Sequence, residues 1–181
     1  MTLRNTKESY GAVARMLHWL IALAIFTMIA VGLTMSDMPR GPEKNELLRL
    51  HASGGLTVLF LMTLRLLWRL VNPVPAPPEG TPRWQALAAT FAHWGLYLLV
   101  YAQVATGVMT LFTVAWNIPF FGLFEIPTPY AERDMDAHHL WEERHIFFFW
   151  TIVAVLSVHA AAALYHHFLK KDNALRRMTL G

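Results

Sequence analysis

The sequence predicts an all-α fold, an integral membrane four-helix bundle forming a single domain over residues 1–181. Three observations carry the expectation. Of the 181 residues 55% are hydrophobic and 15% charged, whereas soluble domains carry about 25% charged residues. Four apolar stretches each reach the roughly 20 residues that a helix needs to cross the hydrocarbon core. The segments between them are short, polar or proline-rich, as extramembrane turns are.

The first span is expected at Ala12 to Met35. The preceding MTLRNTKESYGAVARML is polar for too long to resemble a secretory signal, so this span is read as a retained anchor. Asp37 to Glu46, polar with two prolines and a glycine, leads to a second span at Leu47 to Leu70. The linker Asn72 to Arg83, containing PVPAPPEGTP, leads to a third at Leu87 to Phe112. Val114 to Arg144 joins an aromatic part, WNIPFFGLF, suited to the headgroup layer, to an acidic part suited to water. The fourth span is expected at His145 to Leu169.

Basic residues set the orientation. Arg4, Lys7, Arg15, Arg65, Arg69, Arg83, Lys170, Lys171, Arg176 and Arg177 fall on the side of the termini, against Arg40, Lys44, Arg49, Arg133 and Arg144 on the other. The excess marks the cytoplasmic side, so both termini are expected there. Arg65 and Arg69 come late in the second span, where long stems reach that same surface by snorkelling. Lipid is the expected surroundings, and no nucleic-acid partner is expected.

Nine histidines and no cysteine make up the chain's metal-binding repertoire. The missing thiols exclude disulfides, iron–sulfur clusters and covalent c-type haem attachment. Ionisable groups at bilayer depth are costly and mark sites facing the bundle interior. His145 and His159 are 14 residues apart, which on a helix leaves them within about 40° of each other and about 21 Å apart along the axis. One face of the last helix thus offers two imidazoles at two depths. A zinc site needs three or four ligands converging within a few ångströms. A ladder instead suits two bis-imidazole irons, that is, two b-type haems, each completed by a histidine from another helix. By depth, His51 pairs with His145 on the outer side. On the inner side His18 and His93 both compete for His159. Gly54, Gly55 and Gly107 offer room for a macrocycle or for close helix packing. Arg15 and Arg49 flank ligand candidates, where they meet either haem propionates or lipid headgroups.

These residues closely resemble the bacterial di-haem cytochrome b561 family over nearly the full length. The matching segments are LHWL around His18, LHASGG around His51, AHWGLYLL around His93, the stretch from His145 to HAAAALYHH, and KDNALRRM. The resemblance implies two haem b groups, one held by His18 and His159 on the inner side and one by His51 and His145 on the outer. It leaves His93, with His166 and His167, for a quinone side. It also implies oxidation of superoxide at the periplasmic face and reduction of ubiquinone in the membrane. Arg49, Arg133, Arg144, His138 and His139 are the basic groups available to attract superoxide outside, although acidic residues of the same connection offset them. No catalytic residue is singled out. The alternatives are a relay cytochrome b subunit, serving a partner dehydrogenase or soluble periplasmic donor, and a haem or metal transporter, which two fixed axial pairs disfavour.

Overall fold

The computed structural model describes residues 2–179, and four long helices dominate them: α1 Ala12–Asp37, α2 Pro42–Leu70, α3 Arg83–Phe112 and α4 Met135–Tyr165. All four are long and apolar enough to cross a membrane. Between α3 and α4 in sequence comes an antiparallel hairpin of β1 Ile118–Phe120 and β2 Phe124–Ile126. Two units make up the chain. Unit 1 comprises Met1–Ala22, Leu61–Leu98 and Ile152–Gly181, and unit 2 comprises Leu23–Phe60 and Leu99–Thr151. Each long helix contributes residues to both.

Helix ends follow local chemistry. α1 stops before Pro39, whose ring disfavours the helical conformation in the residue before it. α2 opens on Pro42, whose missing N–H would be unsatisfied there anyway, and Glu43 complements the dipole in the first turn. At its other end Asn72 Nδ2 donates to the Trp68 carbonyl (3.0 Å). Asp134 caps α4 by accepting the Ala137 N–H at 2.9 Å. That cap starts α4 ten residues before the span expected at His145, and Pro42 starts α2 five residues before Leu47. Apolarity marks the hydrocarbon-spanning length, whereas caps mark the helix, and both helices continue past their apolar stretch. Hydroxyls inside the spans return to their own backbone, as Thr27 to the Leu23 carbonyl and Thr151 to the Phe147 carbonyl. Such bonds keep the polar atoms of an apolar span satisfied. Large side chains including Phe26, Phe91, Leu98 and Phe147 point outward, as suits contact with lipid.

In unit 1 the N-terminal arm is tied down before α1 begins. Gly11 donates to Asn5 Oδ1 (2.9 Å), Ala12 N–H to the Thr2 carbonyl (2.9 Å), and Asn5 Nδ2 to the Pro73 carbonyl (2.9 Å). A Cβ at Gly11 would fall on the backbone of Leu3 and Arg4, so this closure needs glycine. Ala14, Leu17, Ile21, Met62, Tyr97 and Ile152 form the buried centre of the unit. α4 ends in a π-helical turn, His166–Lys170, closed by Lys171 in the left-handed conformation at φ 56°.

In unit 2 the hairpin is fastened to α2 by Ser53, which is 1% exposed. Its hydroxyl lies 2.9 Å from the Arg49 carbonyl and 3.0 Å from the Pro119 carbonyl, and accepts the Phe121 N–H at 3.0 Å. The turn places Phe121 (φ 47°) and Gly122 (φ 74°) in the left-handed region, which glycine adopts freely and phenylalanine does not. Stacking of Phe120 on Phe124, with centroids 4.9 Å apart, offsets part of that strain.

Candidate functional site

Each unit contains one cluster of helix-borne histidines. In unit 2 the rings of His51 on α2 and His145 on α4 have centroids 6.3 Å apart and planes at 82°. His145 Nδ1 donates to the Gln103 carbonyl (2.9 Å), with the Thr106 hydroxyl 3.2 Å from the same nitrogen. A carbonyl can only accept, so the proton sits on Nδ1 and Nε2 keeps its lone pair. The Gln103 side-chain Nε2 meets that lone pair at 3.0 Å, while Gln103 Oε1 is buried without a hydrogen-bond partner. Gly107 makes the ring's position feasible, because a Cβ there would stand 2.9 Å from His145 Cε1. Gly32 does the same more loosely for His51, its notional Cβ being 3.4 Å from His51 Cε1. His51 Nδ1 is buried with no hydrogen-bond partner.

In unit 1, His18 on α1 lies 6.4 Å from His159 on α4, centroid to centroid, and His93 on α3 lies 5.6 Å from the same ring. His159 therefore faces both of the histidines that depth leaves as its candidate partners. Arg15, one turn before His18, is 7% exposed and its Nη1 has no partner. Arg65 donates from Nη1 to the Ala14 carbonyl at 2.8 Å. The guanidinium is thus held on the first turn of α1, the end of that helix which the N-terminal arm leads into. A cavity of about 20 Å³ adjoins it, lined among others by Tyr10, Ala14, Trp68 and Tyr97, which is room for about one water. Trp68 Nε1 is buried and unpartnered. Arg69 instead lies over the Trp94 ring, 5.1 Å from its centroid.

The remaining candidates lie outside these clusters. His166 Nδ1 is hydrogen bonded to the Asp172 carboxylate, whose other oxygen accepts the Ala174 N–H at 2.9 Å. Burial raises the Asp172 pKa, but the His166 and Ala174 hydrogen bonds outweigh it and hold the carboxyl below its ordinary value. His167 packs on the Phe168 ring. Arg49 lies over Trp116, 5.6 Å from its centroid, and 3.9 Å from Glu125 Oε1. It borders a groove of about 440 Å³, lined also by Leu50, Ser53, Phe121 and Phe124. His138 Nδ1 donates to the Thr110 carbonyl (3.0 Å), and His139 lies 4.0 Å from Glu142.

The residues that sequence reading passed over are Gln103, Thr106 and Gly32. A signal existed for the first two, since a polar pair one turn apart in an apolar span needs an interhelical purpose.

The donor sets fit b-type haem. Two metal–nitrogen bonds of about 2 Å, with each nitrogen about 1 Å from its ring centre, give a bis-imidazole spacing of roughly 6 Å. The His51–His145 and His18–His159 separations of 6.3 and 6.4 Å lie near that value, and so does His93–His159 at 5.6 Å, so spacing alone keeps both His18 and His93 as partners for His159. Among the described residues no three His, Asp or Glu side chains converge on one point, so a zinc-type cage has no counterpart here.

Comparison with known proteins agrees with this reading. The sequence model of the family described as prokaryotic cytochrome b561 matches residues 9–181. The chain is 32% identical to cytochrome b561 homolog 2 of Escherichia coli strain K12, over 98% of this chain and 95% of that protein. It is 31% identical to cytochrome b561 homolog 1 of the same organism, over 90% and 92%. It is 30% identical to the probable superoxide oxidase CybB of Yersinia pestis, over 94% and 96%. The chain belongs to the prokaryotic cytochrome b561 family, whose members are membrane electron-transfer proteins.

Proposed function

We propose that this protein is a superoxide:ubiquinone oxidoreductase of the bacterial inner membrane, a single four-helix domain with both termini cytoplasmic and two b haems. The observation that carries the reading is the pair of imidazole couples, each at bis-ligand spacing on separate helices. His18 and His159 would hold the iron of one haem, and His51 and His145 that of the other. When bound, each haem supplies a one-electron carrier held in an apolar medium.

The rest is the work of the chain. His145 is fixed by the Gln103 carbonyl with Nε2 unprotonated, the form that ligates iron, and the Gln103 carboxamide is the group that yields. Arg15, with an unpartnered buried Nη1, would pair with a propionate of the haem in unit 1. Arg49 combines two weaker roles, as a propionate partner and as a cation beside the groove. The balanced reaction removes one electron from each of two superoxide anions, releasing O₂, and delivers two electrons and two protons to one ubiquinone. His166 is the proton shuttle on the quinone side, because Asp172 holds its Nδ1–H and leaves the Nε2 lone pair to pick up a proton from water and pass it on. His93 and His167 line the same side. The likeness to a probable superoxide oxidase supports the substrate.

The test is pulsed superoxide with the purified protein and ubiquinone. Haem reduction faster than spontaneous dismutation, followed by ubiquinol formation, is the expected result. Haems that stay oxidised under superoxide but accept electrons from a soluble donor would make the protein a relay subunit instead.

A further inference from the structure

We propose that half-buried Arg65 makes the histidine site of unit 1 the higher-potential of the two haem sites. The inference rests on the haem ligation proposed above. Reducing a haem adds a negative charge to its site, so an uncompensated cation nearby favours the reduced form, and does so more strongly in a medium of low dielectric constant.

Arg65 meets that description. Its Nη1 donates to the Ala14 carbonyl, in the turn of α1 that leads to His18. It is close enough to His18, His93 and His159 for its charge to act on each. Among the described residues neither Arg65 nor Arg15 has a carboxylate within ion-pair distance. Of the acidic residues in this unit, Glu8 and Glu79 are exposed and Asp172 is engaged by His166. Arg15, whose Nη1 has no partner, is the group able to meet a propionate. Arg65 is already held by the peptide carbonyl, so its charge remains after that pairing.

Unit 2 is built the other way. The buried polar residues described there, Ser53, Thr106 and Thr113, are all neutral. Its arginines lie at the surface, Arg49 near Glu125 and Arg144 over Trp141. The His145 Nδ1–H bond to the Gln103 carbonyl raises the basicity of the ligand, which favours the oxidised iron. The two environments therefore shift the sites in opposite directions, and an electron arriving at the His51–His145 site finds the other site energetically downhill.

The test is a spectroelectrochemical titration of the purified di-haem protein. Loss of one transition in His159→Ala, and of the other in His145→Ala, assigns the two midpoints. Arg65→Gln should lower the unit 1 equilibrium constant for one-electron reduction at least tenfold, a fall of about 59 mV, and leave the other midpoint in place. Arg65→Lys, which keeps the charge, should restore most of it. If Arg65→Gln does not retain haem, Arg69→Gln should give a smaller fall at the same site, because the Arg69 charge acts on His93. Unmoved midpoints, a shift at the unit 2 site, or an Arg65→Lys protein as low as Arg65→Gln would overturn the proposal. Fewer than two haems in the unsubstituted protein would instead strike the ligation reading itself.

Discussion

Replacing Gly107 by alanine should empty one haem site while leaving the other filled. The added methyl would stand 2.9 Å from His145 Cε1 and 3.2 Å from Nδ1. Ordinary carbon contacts begin near 3.5 Å, so the ring or one of the two helices must move by about half an ångström. Neither can do so cheaply, because the ring is pinned through Nδ1 to the Gln103 carbonyl at 2.9 Å. Overpacking of this kind costs about 1–3 kcal/mol, which converts to a roughly 5- to 150-fold loss of affinity at this site. Pyridine haemochrome analysis of the purified variant should therefore fall from two haems per chain towards one, the retained haem being the one that His159→Ala removes. Gly95→Ala is the control, since its Cβ meets nothing within 4 Å, and it should keep both haems. A Gly107→Ala protein with two haems and unchanged spectra would refute the packing argument and with it the placement of iron at His145.

The remaining expectations concern each end of the chain's proposed electron path. His159→Ala should abolish the haem of unit 1, while His93→Ala should leave both haems bound and slow ubiquinol formation; haem loss in the His93 variant would reassign the axial partner. Glu125→Gln should release Arg49 from its only carboxylate neighbour within 4 Å among the described residues. The rate of haem reduction by superoxide should then rise at low salt, with a steeper decline as ionic strength increases; a flat salt dependence would place the anion's approach elsewhere. The Asp172 carboxyl titrates below its ordinary value, so the bonds it accepts should be fully present above the usual carboxylate range and lost as pH falls through the lowered pKa. The protection factor of the Ala174 amide, taken against its intrinsic exchange rate at each pH, should fall over that acid window in the parent protein, and should already be low above it in Asp172→Ala.

The four membrane-length helices were legible because lipid imposes a strong compositional rule: a crossing segment must be apolar for about 20 residues. The starts of α2 and α4 were not, because α4 is started by the Asp134 cap and α2 by Pro42, both in polar stretches that hydropathy ignores. The two-imidazole face of α4 followed from helical periodicity alone. Which partners meet it depends on how neighbouring helices are rotated, and the chain gives no local signal for that. His93 accordingly comes within 5.6 Å of His159, beside His18 at 6.4 Å. The supports of His145 were legible only in part: Gly107 read as an opening and Gln103 and Thr106 as a polar pair, but not their common target. Gln103, Thr106 and Gly107 form a small polar and open patch on α3 whose purpose emerges only when α4 is packed against it. For Arg65 a rule based on position, late in α2, suggested the direction of the long stem but could not name the Ala14 carbonyl as its partner.

Low-temperature electron paramagnetic resonance of the oxidised protein addresses the paired-imidazole assignment most directly. Two distinct low-spin ferric signals of bis-histidine type, one vanishing in His145→Ala and the other in His159→Ala, are the predicted result. A single signal, or high-spin iron with only one protein ligand, would contradict it.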